Sequence, residues 1–263
     1  MSSDLRFATR RPVLFAAFVT LIFIGSLLVV VMVQKTVTPP LAQETIGAAG
    51  RAVMGTCALV WLVRLGWRPW LAGSSSAVSW LLVVPPLAYV LLVYPLLFSG
   101  TYRLPAQDAS LLAMVAANGL MAGAMEELIF RGLVLGSLLN RWGIAGRGLW
   151  RSLVVSSLLF SIPHALNAFA GADPLRTASQ VIWAFLFGLA FGALTVAGGS
   201  LWPVAVLHGV SNAFIHANRY GQEGATNPVT AALLALAALP LVWYAWLAIR
   251  RIKGLRPGPS PAT

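Results

Sequence analysis

The sequence predicts an all-α fold, a polytopic transmembrane helical bundle with about eight spans. Of the 263 residues, 59% are hydrophobic and only 10% are charged, whereas a soluble domain has about 25% charged residues. The mean hydropathy is +0.82. Several apolar runs reach the roughly 20 residues that a helix needs to cross the hydrocarbon core. We therefore expect residues 1–263 to form a single integral-membrane domain.

The first predicted helix covers residues 12–33, after a short segment that carries three arginines. This run is too long for the apolar region of a signal peptide, and no A-x-A cleavage site follows it. We therefore expect an uncleaved first span, with Pro39-Pro40 in the loop behind it. The second helix, 47–66, is the weakest prediction because Arg51 and Arg64 bracket it closely.

Prolines and length distinguish the next three predicted helices. The third, 77–99, contains Pro85-Pro86, which should kink it. The fourth, 107–140, is longer than a bilayer requires, so it is expected to bend or to continue past the membrane surface. The fifth, 147–170, contains Pro163, which should bend or end the helix just before a histidine.

Three more apolar runs complete the bundle, at 177–197, 201–218 and 228–249. Residues 254–263 are rich in proline and glycine, which predicts a disordered tail. Glycines stand four residues apart in the fourth and sixth helices, at Gly119 and Gly123 and at Gly188 and Gly192. This spacing predicts close contact between helix backbones.

The positive charges predict the orientation of the bundle. With eight spans, 12 of the 18 Lys and Arg residues lie on the side of both termini, five lie on the other side, and Arg131 lies inside a span. The positive-inside rule then places both termini in the cytoplasm. The net charge is +11, but the charges form no dense patch with interleaved aromatic residues, so no nucleic-acid partner is expected.

Two adjacent glutamates interrupt the apolar fourth helix. Only seven residues of the chain are acidic, and carboxylates at membrane depth usually face a bundle interior and serve a function. Glu127 and Arg131 are four apart and are expected to form an ion pair. Glu126 lies about 100° around the helix from Glu127 and is expected to face elsewhere, available for chemistry. A purely structural network of all three charges is the alternative.

Further polar residues lie on two later helices. His164 follows Pro163, and His208 and Asn212 are four apart and share a helical face. A glutamate and a histidine can hold and deprotonate a water, and His with Asn can stabilise an oxyanion. The same residues Glu126, His164 and His208 could instead supply three ligands for a divalent metal such as zinc. Asn118 and Asn167 are weaker candidates for supporting groups.

These residues form three motifs, each on its own predicted helix. They are Glu126-Glu127-Leu-Ile-Phe-Arg131, Phe160-Ser-Ile-Pro-His164 and His208-Gly-Val-Ser-Asn212. The set resembles the CPBP family of CAAX proteases and bacteriocin-processing enzymes, also called the Abi family. That family's pattern is Glu-Glu-x-x-x-Arg, Phe-x-x-x-His and His-x-x-x-Asn/Asp in this order. The resemblance covers about residues 107–219, and eight spans are similar to the type II CAAX prenyl endopeptidase fold.

The resemblance implies an intramembrane protease. Glu126 would activate a water with His164, His208 and Asn212 would stabilise the oxyanion, and Glu127 with Arg131 would support them. It implies a protein or peptide substrate that is membrane-associated or lipid-modified, and a chain embedded in membrane lipid. We expect it in the bacterial cytoplasmic (inner) membrane. The family has been described as both glutamate-type and metal-dependent, and the metal-free form, with no cofactor, is the preferred expectation because Asn212 suits an oxyanion site.

Two other classes of function remain as alternatives. A transporter or proton relay could use Glu126 and the histidines as titrating groups, although no internal repeat supports it. A non-catalytic scaffold or immunity protein could share the fold, although the complete set of polar residues argues against it.

Overall fold

A computed structural model describes residues 3–67, 77–97, 109–169, 171–219 and 228–255. These residues form helices and no strand, which confirms the all-α class. The elements in chain order are α1 Ser3–Arg10, α2 Pro12–Lys35, α3 Pro40–Arg64, α4 Ala77–Leu81, α5 Val84–Leu97, α6 Ala109–Glu127, a π-helical segment Leu128–Leu135, α7 Gly136–Trp142, α8 Gly146–Ser161, a 3₁₀ turn Ile162–Ala165, α9 Leu166–Phe169, α10 Pro174–Gly198, α11 Trp202–Arg219, α12 Pro228–Leu236 and α13 Leu239–Leu255.

Prolines determine where several helices begin and break. Pro12, Pro40 and Pro174 each occupy the first turn of a long helix, where the missing backbone N–H costs nothing. The chain breaks between α4 and α5 just before Pro85-Pro86, and α8 ends at Ser161 just before Pro163. Both predicted interruptions are therefore confirmed.

The prediction of one continuous helix over 228–249 is wrong. The structure has α12 and α13 there, separated by a turn at residues 237–238. Pro240 lies in the first turn of α13, because proline has no N–H to continue α12 and its ring would clash with the carbonyl oxygen of residue 236, where α12 ends. The predicted disordered tail lies outside the described residues, apart from residues 254 and 255, which end α13.

The second predicted helix also begins earlier than expected. It starts at Pro40, seven residues before the predicted start, so Arg51 lies inside α3 and not at its edge. Glu44, expected in a loop, is buried on the same helix with 3% of its surface exposed. Both residues find a polar partner on α6, since Arg51 Nη1 donates to Asn118 Oδ1 at 2.7 Å and Asn118 Nδ2 donates to Glu44 Oε2 at 2.5 Å. These bonds let the helix extend through two charged positions.

Five helical stretches in the described chain are long and apolar enough to cross a membrane. They are Pro12–Lys35, Pro40–Arg64, Ala109–Trp142, Gly146–Phe169 and Pro174–Gly198. Shorter apolar helices cover Ala77–Leu92 and Leu239–Arg250, and α11 coincides with the predicted span 201–218. The protein is thus an integral-membrane helical bundle, while the count of eight spans and the cytoplasmic termini stay predictions.

Helix α6 makes its most extensive contacts with α11 and α3, while α10 packs against α8, α12 and α13. The glycines expected at helix contacts are found there. A Cβ on Gly123 would meet the backbone of His208 and Gly209, and one on Gly119 would meet the backbone of Asn212 and Ala213. The absence of side chains at these glycines therefore brings α6 and α11 into backbone contact beside the two glutamates.

Candidate active site

The three sequence motifs meet where α6, α8 and α11 come together. Glu126 and Glu127 end α6, and Arg131 lies in the π-helical segment, all eight residues of which are buried. Such π-helical insertions occur frequently at functional sites. His164 lies in the 3₁₀ turn that Pro163 introduces after α8. His208 and Asn212 lie on the face of α11 that approaches the two glycines of α6.

Glu127 contacts both Arg131 and His208 in the buried part of the site. Its Oε2 lies 3.1 Å from Arg131 Nε, which is the ion pair expected from the i,i+4 spacing. Its Oε1 accepts a hydrogen bond of 2.7 Å from His208 Nδ1. Both Glu127 and Arg131 are essentially inaccessible to solvent. One carboxylate therefore neutralises the arginine and also fixes the ring of His208.

Arg131 is further enclosed by aromatic rings. Its guanidinium carbon lies 4.5 Å from the centre of the Phe160 ring and 5.9 Å from that of Phe191. Its Nη2 also reaches the carbonyl oxygen of Gly188 at 3.5 Å. Cation–π contacts gain strength when the cation is desolvated. Phe160 thus helps to stabilise a buried charge.

Glu126 reaches the same histidine from the other side. Its Oε2 lies 3.5 Å from His208 Nε2, and 15% of its side chain is exposed, compared with 0% for Glu127. The expectation that Glu126 faces elsewhere than Glu127 did not include that the two carboxylates contact the same histidine. The two nitrogens of one imidazole lie on different sides of the ring, so His208 can contact two carboxylates that leave the helix in different directions.

The ring of Phe160 brings the two histidines together. It makes edge contacts with His164, at 5.5 Å between ring centres, and with His208, at 5.8 Å. Phe187 and Phe191 close the remaining sides of the His208 ring. The histidines thus lie on one aromatic side chain, although no direct contact joins His164 to Glu126 among the described residues.

His164 and Asn212 have different surroundings. Gln180 Nε2 lies 3.4 Å from His164 Nδ1, and Asn167 Nδ2 donates to Gln180 Oε1 at 2.9 Å. Asn212 is half-buried one turn beyond His208. The sequence predicts Asn167 as a supporting residue but does not identify Gln180. Its only signal was a polar residue within an apolar run.

The three residues expected as alternative metal ligands are not arranged as a metal site. Within the described ranges, no three His, Cys, Asp or Glu side chains are grouped so as to hold a metal ion. His208 Nδ1 is bonded to Glu127 and His164 Nδ1 to Gln180, so each ring offers only Nε2. Glu126, His164 and His208 as placed do not fit a three-ligand site, and whether the protein needs a cofactor stays a prediction.

Comparison with known families agrees with the motifs. Residues 108–214 match the family model described as Rce1-like, type II CAAX prenyl endopeptidase Rce1-like. Over these residues the chain is similar to the Rce1-like family. The resemblance predicted from the three motifs is thereby confirmed, and the matched segment contains all six candidate residues. Comparisons with curated proteins and with solved structures find no match.

The Rce1-like match has consequences for activity. It supports a protease, and a CAAX protease implies a protein or peptide substrate in the membrane. The long apolar helices agree with an integral-membrane location. The roles of individual residues, the type of protease and the substrate are matters for the proposal below.

Proposed function

We propose that the protein is an intramembrane endopeptidase of the glutamate type. It hydrolyses a peptide bond of a membrane-associated or lipid-modified protein or peptide, in the bacterial inner membrane. The observation that carries this proposal is the placement of Glu126, Glu127 and Arg131 around His208, with His164 on the same aromatic ring. Charged groups in an apolar bundle are costly unless they converge on a site of use.

Glu126 is the residue that takes the proton from water. It is the only one of the two glutamates with an exposed fraction, 15% against 0%, so only its carboxylate can meet a water or a substrate. Glu127 is committed to Arg131 and His208. His164 contacts the same Phe160 ring as His208 and holds the water with Glu126. General acid–base catalysis of this kind contributes about 10²- to 10⁴-fold in rate.

His208 and Asn212 form the oxyanion site. The bond from His208 Nδ1 to Glu127 Oε1 fixes the imidazole, so that Nε2 faces Glu126 and the reacting carbonyl. Asn212 lies one helical turn further along α11, on the same face. An oriented donor aimed at the developing oxyanion is worth about 10²- to 10³-fold in rate.

The protons balance over one catalytic cycle. Water attacks the carbonyl carbon while its proton passes to Glu126, and the carbonyl oxygen becomes an oxyanion bonded by the Asn212 amide and by the Nε2–H of His208 in its imidazolium form, whose Nδ1–H stays on Glu127. The oxyanion then re-forms the carbonyl as the C–N bond breaks. Glu126 returns its proton to the leaving amine, which leaves a new carboxyl end and a new amino end.

Comparative proteomics of membrane fractions tests the activity and identifies the substrate. Cells that carry the wild-type protein should contain a peptide end that vanishes with Glu126→Gln, and with His164→Ala or His208→Ala. Glu44→Gln is the matched control, because it also removes a buried carboxylate, but one on α3 that accepts its hydrogen bond from Asn118. A wild-type cleavage rate in any of the three site variants would show that the assigned role of that residue is wrong.

Metal removal separates the two protease types. Because the proposed route uses only side chains and water, cleavage by the purified protein should be unchanged after thorough treatment with a chelator. Loss of cleavage that Zn²⁺ restores would instead establish the metal-dependent alternative.

A further inference from the structure

A chain of two amides lies behind His164. Asn167 on α9 donates from Nδ2 to Gln180 Oε1 on α10 at 2.9 Å, and Gln180 Nε2 lies 3.4 Å from His164 Nδ1. The opposite arrangement surrounds His208, where a carboxylate oxygen faces Nδ1 at 2.7 Å. The two histidines of the site therefore differ in what contacts the same ring atom.

The direction of the amide chain determines where His164 carries its proton. Asn167 binds the oxygen end of the Gln180 amide, so the NH₂ end faces the histidine. An NH₂ group can only donate, and the ring atom that accepts from it must carry no proton. The neutral His164 ring then has its hydrogen on Nε2. The partner of one ring nitrogen sets the state of the other.

We propose that Gln180, held by Asn167, is a positioning residue that keeps His164 as the Nε2–H tautomer. His164 then donates a hydrogen bond to the attacking water, and Glu126 is the base that receives the water's proton. This assignment of His164 rests on the proposed function, whereas the tautomer follows from the contacts of Gln180. It makes the role of His164 specific, as a hydrogen-bond donor to the water that Glu126 deprotonates.

The local fold holds the amide chain in place. Ala172 N donates to the carbonyl oxygen of Asn167 at 2.9 Å, which closes the loop after α9. The Asp173 side chain accepts from Arg176 N at 2.8 Å and caps the start of α10. The 3₁₀ turn that carries His164 packs against α10. Gln180 therefore faces the histidine from a capped helix, across a loop closed by backbone bonds.

Nitrogen NMR of the full-length protein with ¹⁵N-labelled histidine tests the tautomer directly. The chain has three histidines, and His164→Gln identifies the signals of that ring. In the wild type we expect an unprotonated Nδ1 and a protonated Nε2. Gln180→Glu, measured above neutral pH where the introduced carboxyl is ionised, should invert this assignment because a carboxylate can only accept. Ser179→Ala is the control, since Ser179 bonds only the Leu175 carbonyl of its own helix.

Steady-state kinetics of Gln180 variants test whether the tautomer of His164 matters for catalysis. Gln180→Glu should lower kcat about 10- to 100-fold with KM near the wild-type value, the size of effect seen when the partner of a functional histidine is changed. Gln180→Leu, which removes the contact without reversing it, should lower kcat less. If Gln180 had only a structural role, Gln180→Glu would not lower kcat more than Gln180→Leu does.

Three results would overturn the proposal. These are a protonated Nδ1 in wild-type His164, a Gln180→Glu spectrum identical to the wild type, or an inverted tautomer with wild-type kcat. Failure of the proposed function gives a different pattern, in which Glu126→Gln retains full cleavage. The spectra need no activity, so the tautomer can be tested in that case too.

Discussion

Two polar clusters share helix α6 and differ in how completely their groups are satisfied. The Asn118 cluster consists of Glu44, Arg51 and Asn118. The proposed catalytic cluster, which we call the catalytic cluster, consists of Glu126, Glu127, Arg131 and His208. In the first, both ends of the Asn118 amide are bonded, to Arg51 Nη1 and to Glu44 Oε2. A fully bonded polar network makes a bundle more rigid and leaves no group for a reaction.

In the catalytic cluster, the hydrogen bonding of the buried groups is incomplete. Arg131 Nη1 and Glu127 Oε2 have no hydrogen-bond partner in the part of the chain that the structure describes, although Oε2 is close enough to Arg131 Nε for an ion pair. Glu126 is partly exposed. Buried groups with incomplete hydrogen bonding are rare and call for an explanation. Incomplete pairing, more than charge itself, therefore distinguishes the candidate site from a structural cluster.

The largest effect is expected from Glu127→Gln. An amide cannot neutralise Arg131, and breaking a buried pair by removing one partner costs about 3–5 kcal/mol. The His208 ring also loses its anionic acceptor, so kcat should fall about 10- to 100-fold even in the folded fraction. Thermal unfolding in detergent and kcat of the folded fraction measure the two consequences separately.

The matching substitution in the Asn118 cluster is the control for Glu127→Gln. Glu44→Gln also replaces a buried carboxylate by an amide, but Glu44 lies on α3 and accepts its hydrogen bond from Asn118 Nδ2. It should lower stability while kcat of the folded fraction stays near the wild-type value. Equal losses of kcat in the two variants would abolish the distinction between the clusters.

A smaller effect is expected from Gly123→Ala. The added Cβ would press against the backbone of Gly209 and His208, so α6 and α11 must separate. Overpacking of this kind costs about 1–3 kcal/mol. It would also lengthen the 2.7 Å bond between Glu127 and His208. We expect kcat to fall about tenfold in an assay of the purified protein.

Gly25→Ala is the control for that change. A Cβ at Gly25 in α2 would have nothing within 4 Å, and alanine in a helix interior is more favourable than glycine by about 0.5–1 kcal/mol. Activity should be unchanged and stability equal or higher. If Gly123→Ala behaved in the same way, close approach of α6 and α11 would not be needed for the site.

The sequence predicts the catalytic cluster better than the Asn118 cluster, for a physical reason. The spacing of Glu127 and Arg131 is local to one helix, so the pattern shows their ion pair directly. The bond between Glu127 and His208 joins residues 81 positions apart, and no local period reveals it. Glu44 and Arg51 are charges near the end of an apolar run, which is typical of a loop. Only Asn118 on another helix allows them to lie inside α3.

The boundaries of the helices show the same limit. Proline effects are local, so the breaks at Pro85 and Pro163 could be predicted, and the similar break before Pro240 could have been. The position of Gln180 behind His164 depends on how the 3₁₀ turn packs against α10, which is a tertiary contact. Residue types and order therefore predicted the candidate site, whereas the orientation of its rings required the fold.

The smallest effect on activity is expected from Asn118→Ala. Removing the amide takes away the partner that Arg51 and Glu44 share, and a buried polar group left without its bond costs about 1–3 kcal/mol. The midpoint of thermal unfolding should fall, while kcat at a temperature where the variant is folded should stay within about twofold of the wild type. Asn118 lies eight residues before Glu126, about 12 Å along the helix axis, which is too far for direct contact with the reacting groups. A large loss of kcat with an unchanged unfolding midpoint would show that the Asn118 cluster belongs to the site, and that complete hydrogen bonding does not mark a purely structural role.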